Sequence, residues 1–302
     1  MELRHLRYFV TAAEELHFAR AAERLGIAPP TLTVQIQEIE RDLSVTLFRR
    51  NKRSVSLTPA GEVFLVEARA VLERFAQAQH TGRRAGRGEI GLVTIGYVGS
   101  AVLAGVLQTL VRQFTLAWPD IRVDAREYPM NDLPTLVAEG QIDIGIVRMP
   151  MPLPRNLRQH VLIRDTFCLA LPDGHPLAVS TMPIEAQTLN GQSFIVPEQG
   201  YGTREVGLRG GFLPSVISAP GSLLAVLSQV SLGQGVSVIP TLAATTLRIP
   251  GIAIRPLAGP VIPSEVVALF RSSKSAPATE KLISQIIAKP CTELSTDLSQ
   301  LP

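Results

Sequence analysis

The sequence predicts an α+β multidomain chain, and three observations carry that prediction. The first 57 residues read as three short helices followed by a small hairpin. A long amphipathic helix comes next. From Ile90 onward, apolar strands alternate with helices. At 302 residues the chain is long enough for two or three cores.

The first helix follows from Leu6, Phe9, Val10, Ala13 and Leu16, which fall on one face of residues 3–16. The second fits Phe18 to Leu25, with Ala21, Ala22 and Leu25 inward and Gly26 as its stop. The third lies in APPTLTVQIQEIERDL, Ala28 to Leu43. Proline is tolerated in a helix's first turn, where the missing N–H would be unpaired anyway, so the two prolines mark a start. Leu32, Ile36, Ile39 and Leu43 make its buried stripe. Two helices across a tight turn, with small alanines at the crossing, form a helix-turn-helix pattern.

Thr46–Phe48 and Ser54–Leu57 read as strands around Arg49, Arg50, Lys52 and Arg53, a hairpin with a basic tip, or wing. No acid falls between Thr46 and Thr58. Such a run is either a solvated face or a phosphate-facing patch. Residues 1–88 carry 14 Arg/Lys against 10 Asp/Glu; the remainder carries 15 against 16. The positive charge therefore sits at the N-terminal end.

Thr58-Pro59 starts the long helix, with threonine as cap and proline in the first turn. Leu65, Ala68, Leu72, Phe75 and Gln79 form a coiled-coil-like seam. A helix outside both domains cannot bury such a seam alone, so Leu65, Ala68, Leu72 and Phe75 are expected to serve dimerisation, with packing on their own domain as the alternative. The stretch Thr81–Gly91 reads as a hinge.

Beyond it, strands are expected at Leu92–Tyr97, Ile121–Tyr128 and Ile142–Val147, with helices at Val102–Trp118 and Leu133–Glu139. This βαβαβ order predicts a parallel sheet. A second set follows: strands Phe167–Leu171, Ser193–Val196, Ser215–Ser218 and Val236–Ile239, with helices near Gly202–Leu208 and Leu223–Leu232. Strand Glu265–Arg271 and helix Thr279–Ala288 return to the first set. Two subdomains joined by two crossings enclose a cleft.

The block LRYFVTAAEELHFARAAERLGIAPPTLTVQIQEIERDLSVTLFRRNKRSVSLTPAG resembles the LysR-type transcriptional regulators. The AAERL helix, the spacing of the third helix, LF before arginines, and LTPAG carry the likeness. MELRHLRYFV and IGYVGS look most like the branch governing aromatic-compound degradation, the benzoate- and muconate-responsive types. The resemblance implies a winged helix-turn-helix domain (1–58), a dimerising linker (59–88) and a periplasmic-binding-protein-like effector domain (89–302). The last would divide into subdomain I, about 89–162 and 267–302, and subdomain II, about 163–266. The implied partners are double-stranded DNA, a small-molecule effector (a carboxylate or aromatic acid), and further copies of the chain as homodimer or homotetramer. RNA polymerase is a further expected partner.

In such a protein the third helix presents Pro30, Thr31, Thr33, Val34, Gln35 and Gln37 to bases. Gln35 and Gln37 are otherwise solvated surface. Where the family commonly has Gln-Pro and Ser-Arg, this chain has Pro29-Pro30 and Thr33-Val34. It therefore offers fewer hydrogen bonds to bases, and DNA shape gains weight. Arg49, Arg50 and Arg53 would contact phosphates.

The effector would meet Gly99 and Ser100 at a helix start, unless Ser100 is only a cap. The second contact loop matches Met130 and Asn131, where methionine replaces a small hydroxyl residue and makes the pocket more apolar. Across the cleft lie Gly200, Tyr201, Gly202 and Thr203. Arg148 either pairs with an effector carboxylate or belongs to a structural ion pair.

The five histidines show no ligand spacing, and no nucleophile-elbow, P-loop or dinucleotide motif sits at a strand–helix turn. An enzyme is therefore disfavoured, and no cofactor is expected. An effector-independent chromatin protein would not need a 200-residue cleft domain. Cys168 and Cys291 fit reduced cytoplasmic thiols, with a redox switch as the alternative. No apolar run is long enough for a membrane span, and the N-terminus lacks a signal-peptide core.

Overall fold

A computed structural model describes residues 1–51 and 54–293. The chain divides into two compact units, Met1–Arg84 and Ala85 onward, and the division falls inside the long helix.

In the first unit, α1 (Leu3–Glu15), α2 (Phe18–Leu25) and α3 (Pro29–Leu43) precede the hairpin β1 (Phe48–Asn51) and β2 (Ser54–Leu57). The helix ends follow the sequence signals. Gly26 closes α2 at φ +66°, and the prolines open α3. Phe9, Ala21, Ala22, Leu32, Ile36, Ile39, Leu47 and Phe48 form the core. Phe9 meets Phe48 edge-on at 5.5 Å between ring centroids, and Phe18 meets Phe48 likewise at 5.4 Å. Each such pair contributes about 0.5–1.5 kcal/mol beyond burial. Leu43, expected in the buried stripe, is only half-buried.

The helix α4 runs from Pro59 to Gly86, so the stretch expected to act as a hinge is helical as far as Gly86. The Thr58 hydroxyl accepts from the Gly61 N–H at 2.9 Å and donates to the Thr46 carbonyl at 2.7 Å. The expected dimerisation seam finds partners within its own unit as far as Leu72, while Phe75, beyond it, is half-buried and stands outside that core. Ala68 is 1% exposed, and Leu65 and Leu72 pack against the same core. The seam was not left bare because the three-helix domain presents an apolar flank of its own. Val63, Val66 and Val71 are the large apolar side chains of α4 that are exposed.

In the second unit, β3 (Gly91–Tyr97) leads to α5 (Gly99–Val102) and α6 (Val106–Ala117). The single helix expected over Val102–Trp118 is broken by Gly105 at φ +67°. Then come β4 (Ile121–Glu127), α7 (Leu133–Ala138), β5 (Ile144–Met149) and the 16-residue β6 (Leu157–Pro172). They are followed by β7 (Ser193–Pro197), α8 (Tyr201–Gly210), β8 (Ser215–Gly221), α9 (Leu223–Ser231), β9 (Ser237–Pro240) and α10 (Thr241–Thr246). The last elements are β10 (Ile252–Arg255), β11 (Pro263–Arg271), α11 (Pro277–Ala288) and the short β12 (Thr292–Glu293).

Strand β3 pairs in parallel with β4 and β5, as the βαβαβ order requires. The whole sheet is mixed, because β11 inserts antiparallel between β5 and β6. Strand β6 passes through both subdomains: its first half pairs with β11 and its second half with β9 and β10. With β11, it makes the two crossings. The Phe167 N–H donates to the Ile262 carbonyl at 3.1 Å between them.

Candidate DNA-reading surface and effector cleft

In the first unit, the open face of α3 carries Pro30, Thr31, Val34 and Gln37, all exposed, with Val34 at 49%. Two expected base readers are engaged elsewhere. The Thr33 hydroxyl donates to the Pro29 carbonyl at 3.1 Å, a bond within its own helix. Gln35 is half-buried and donates from Nε2 to Glu38 at 2.7 Å. Arg49 and Arg50 lie in strand β1, not at the tip of the hairpin, and both are exposed. Arg53 and Lys52 lie outside the described residues.

Glu40 was not singled out by the sequence, yet it fixes the wing to α3. Its Oε1 accepts the Leu47 N–H at 2.8 Å and the Phe48 N–H at 3.1 Å. Its Oε2 accepts from Arg50 at 3.3 Å. The Arg50 guanidinium also lies 4.7 Å from the centroid of the Phe18 ring.

In the second unit, a cavity of about 240 Å³ opens between the two subdomains beside the crossings. One wall carries Gly99, Ser100, Leu103, Glu127, Met130 and Arg148. The facing wall carries Phe167, Pro197, Glu198 and Gln199. Gly221, Ser222, Leu223 and Leu224 close it at the start of α9, with Pro240 and Leu247 beside them.

Four expected residues, Gly99, Ser100, Met130 and Arg148, thus line the cavity. Five do not. Asn131 is exposed outside it. Gly200, Tyr201, Gly202 and Thr203 belong to the start of α8, which turns into the core of its subdomain. Gly202 and Thr203 are buried there, and the Tyr201 ring packs 6.3 Å from Phe167. The expected loop does meet the cavity, but through the residues that precede its glycines, Glu198 and Gln199. Ser222, a serine directly before an apolar helix, carried a capping signal that marked the other missed turn. Its hydroxyl accepts the Ala225 N–H at 3.2 Å.

Arg148 does not wait for an effector carboxylate. It is 1% exposed, and its Nη1 donates to Asp165 at 2.9 Å and to the Ser264 hydroxyl at 3.0 Å. Its Nε donates to the Ser100 hydroxyl at 3.1 Å, and its Nη2 to the Ser100 carbonyl at 3.3 Å. Burial pulls the guanidinium below its usual range, and the charge of Asp165 and its hydrogen bond oppose that pull. Asp165 also accepts the N–H groups of Thr166 and Leu242, at 2.8 and 3.1 Å. The pair therefore ties β5, both crossings, the Ser100 turn and the start of α10 into one buried network.

Two further bonds span the cleft. Glu198 accepts the Met130 N–H at 3.0 Å, and Gln199 Nε2 donates to the Pro150 carbonyl at 3.2 Å. Burial raises the Glu198 carboxyl above its ordinary value; the Met130 N–H lowers it, and the neighbouring Glu127 charge raises it again. Among the described residues, no cluster of His, Cys, Asp or Glu could hold a metal ion. The same residues contain no helix long and apolar enough to cross a membrane.

Two family models match the chain. Residues 3–62 match the bacterial regulatory helix-turn-helix protein, lysR family, and residues 86–289 match the LysR substrate binding domain. The chain belongs to the LysR family. It is 36% identical over 251 residues to the HTH-type transcriptional regulator AlsR of Bacillus subtilis, covering 80% of this chain and 82% of the relative. It is 32% identical over 289 residues to the Hca operon transcriptional activator HcaR of Escherichia coli, covering 94% and 96%. The crystal structure of full-length CbnR with its target DNA matches with a TM-score of 0.75 at 26% identity, over 95% of this chain and 98% of that one.

LysR regulators bind DNA through the helix-turn-helix, carry an effector-binding domain and form oligomers. This chain is such a DNA-binding transcriptional regulator with an effector-binding domain, and its relatives are regulators, not enzymes.

Proposed function

We propose that a small effector occupies the cleft cavity of this LysR regulator and shifts its hold on DNA. The observation that carries the proposal is the cavity's position. It is walled by both subdomains and touches Ser100 and Arg148, two members of the network that joins the crossings. A ligand favouring one closure angle shifts the population toward it, provided its affinity for the two angles differs. Glu198–Met130 and Gln199–Pro150 are the contacts that a change of angle remakes.

The apolar wall of Leu103, Met130, Phe167, Leu223 and Leu247 suits a single ring or short chain, since the cavity is smaller than the roughly 300–1,000 Å³ of drug-sized sites. The expected carboxylate effector loses its main support, because Arg148 is already neutralised by Asp165.

On the DNA side, we assign base contact to Pro30, Thr31, Val34 and Gln37, with Thr33 and Gln35 secondary, and phosphate contact to Arg49 and Arg50. Arg53 keeps the same assignment on sequence alone. Residues 1–58 read DNA, 59–88 link two copies and 89–302 take the effector. For the link between copies, Val63, Val66 and Val71 are the exposed apolar part of α4 available beside Phe75. The regulator acts in the cytoplasm, with RNA polymerase as a further partner.

The test is a footprint on DNA selected from random sequence, with and without a cavity ligand. Leu224→Trp serves as a block, since Leu224 lines the cavity from an exposed position. A footprint that changes in the wild type and not in the variant supports the assignment. One that responds equally in both removes it.

A further inference from the structure

The charge of the cavity wall is opposite to what a carboxylate ligand needs. Its lining holds one cation, Arg148, and that charge is cancelled by Asp165 at 2.9 Å. Two carboxylates remain on the wall, Glu127 and Glu198. They come from different subdomains and face one space. The Glu127 carboxylate lies over Gly99: a Cβ built at that glycine would stand 2.6 Å from Glu127 Oε1. The absent side chain is what lets the acid rest at the cavity wall.

A third acceptor has no partner. Gln199 is 7% exposed and lines the cavity. Its Nε2 is committed to backbone carbonyls at Pro150 and Arg148, which fixes the orientation of the amide. Its Oε1 is buried without a hydrogen-bond partner. A buried acceptor left unmade is costly, and a donor from a ligand removes that cost.

The opposing influence is the start of α9 at Ser222–Leu224, whose N–H groups favour negative charge. A helix terminus is equivalent to about half an elementary charge. The exposed Glu127 carboxylate alone outweighs it, and Glu198 adds to it. Beside them, Leu103, Met130, Phe167 and Leu247 offer an apolar bed.

We propose that the cavity selects an effector with a protonated amine on a compact apolar body, the ammonium donating to Glu127, Glu198 and Gln199 Oε1. This rests on the reading of the cavity as the effector site. It places specificity in the residues that end β4 and follow β7.

The test uses the full chain and isothermal titration at pH 7.5 with a matched panel. Phenyl, cyclohexyl and linear hexyl bodies each carry a methylammonium, a hydroxymethyl or a carboxylate head. The expected result is that at least one body binds at least tenfold more tightly as the ammonium than as the carboxylate. Glu127→Gln and Glu198→Gln should each weaken the ammonium about tenfold and narrow the gap to the alcohol, while Leu224→Trp abolishes binding. Glu127 is exposed, so its variant keeps the fold. A carboxylate that binds more tightly than its ammonium, and is lost in Leu224→Trp, overturns the charge assignment and leaves the effector site standing. Binding of no head group, or binding indifferent to Leu224→Trp, overturns both.

Discussion

Arg148 and Asp165 form an ion pair at 2.9 Å with both side chains almost wholly withdrawn from solvent. Removing one partner of such a pair strands the other charge and costs about 3–5 kcal/mol. Asp165→Ala is therefore expected to lower the stability of the effector domain by that amount. Trp118 is the chain's single tryptophan and lies in this domain, with Lys281 Nζ 3.4 Å from its ring centroid. Urea unfolding followed by its fluorescence reads the effect. A loss under about 1 kcal/mol would show that the pair is not the anchor described.

Gly61 approaches the chain before the wing so closely that a Cβ there would lie 2.1 Å from the Leu47 carbonyl oxygen. The obstacle is backbone, so α4 or the strand must move. Gly61→Ala should destabilise the first unit by about 1–3 kcal/mol or more, the usual range for overpacking. Thermal unfolding by circular dichroism measures it, and an unchanged midpoint would contradict the close approach.

For the wing, Arg49 and Arg50 differ in what else they do. Arg50 is held by Glu40 and lies over Phe18, whereas Arg49 is exposed on β1. Arg49→Ala should reduce the log–log salt slope of DNA binding by about 0.9 and leave stability unchanged. Arg50→Ala should reduce the slope and also lower the melting temperature. An unaltered slope for Arg49→Ala removes the phosphate assignment.

How much of this was legible in the sequence depended on whether a signal was local. The stripe Leu32, Ile36, Ile39 placed α3 because its period is internal to the helix. The engagement of Gln35 with Glu38 is not legible, although both are on that helix, because spacing alone does not say which polar side chains pair. Strand β6 was expected only over Phe167–Leu171. Its first half carries Arg158, His160 and Arg164, which hide the strand pattern that β11 completes from a hundred residues away. Arg148 was legible as a strand-end cation, but its partner Asp165 was not, since the pairing is made by the crossing of β6. At the cleft, the turn after β7 was recognisable by its glycines, yet the residues that reach the cavity precede them.

The cysteines separate by environment. Complete burial drives the Cys168 thiol up to about 12, opposed by a hydrogen bond with Thr241 and aided by the nearby Asp165 charge. A raised thiol value means the protonated form prevails at pH 8, and stability falls only when pH climbs above the unfolded thiol's range. Native protein at pH 8 should therefore expose Cys291 but not Cys168 to an aromatic disulfide reagent, while both react in urea. Rapid reaction at Cys168 in the native state would contradict this and reopen a redox role.

Occupancy of the cleft is expected to change DNA binding. The direct measurement is fluorescence anisotropy of a selected DNA site with the full chain, titrated with the tightest ligand of the matched panel. The wild type, Glu127→Gln and Leu224→Trp are compared. The expected result is a shift in apparent Kd, or in footprint length, that follows ligand affinity across the three proteins and vanishes in Leu224→Trp. A ligand that saturates the cavity while DNA affinity and footprint stay fixed would contradict it.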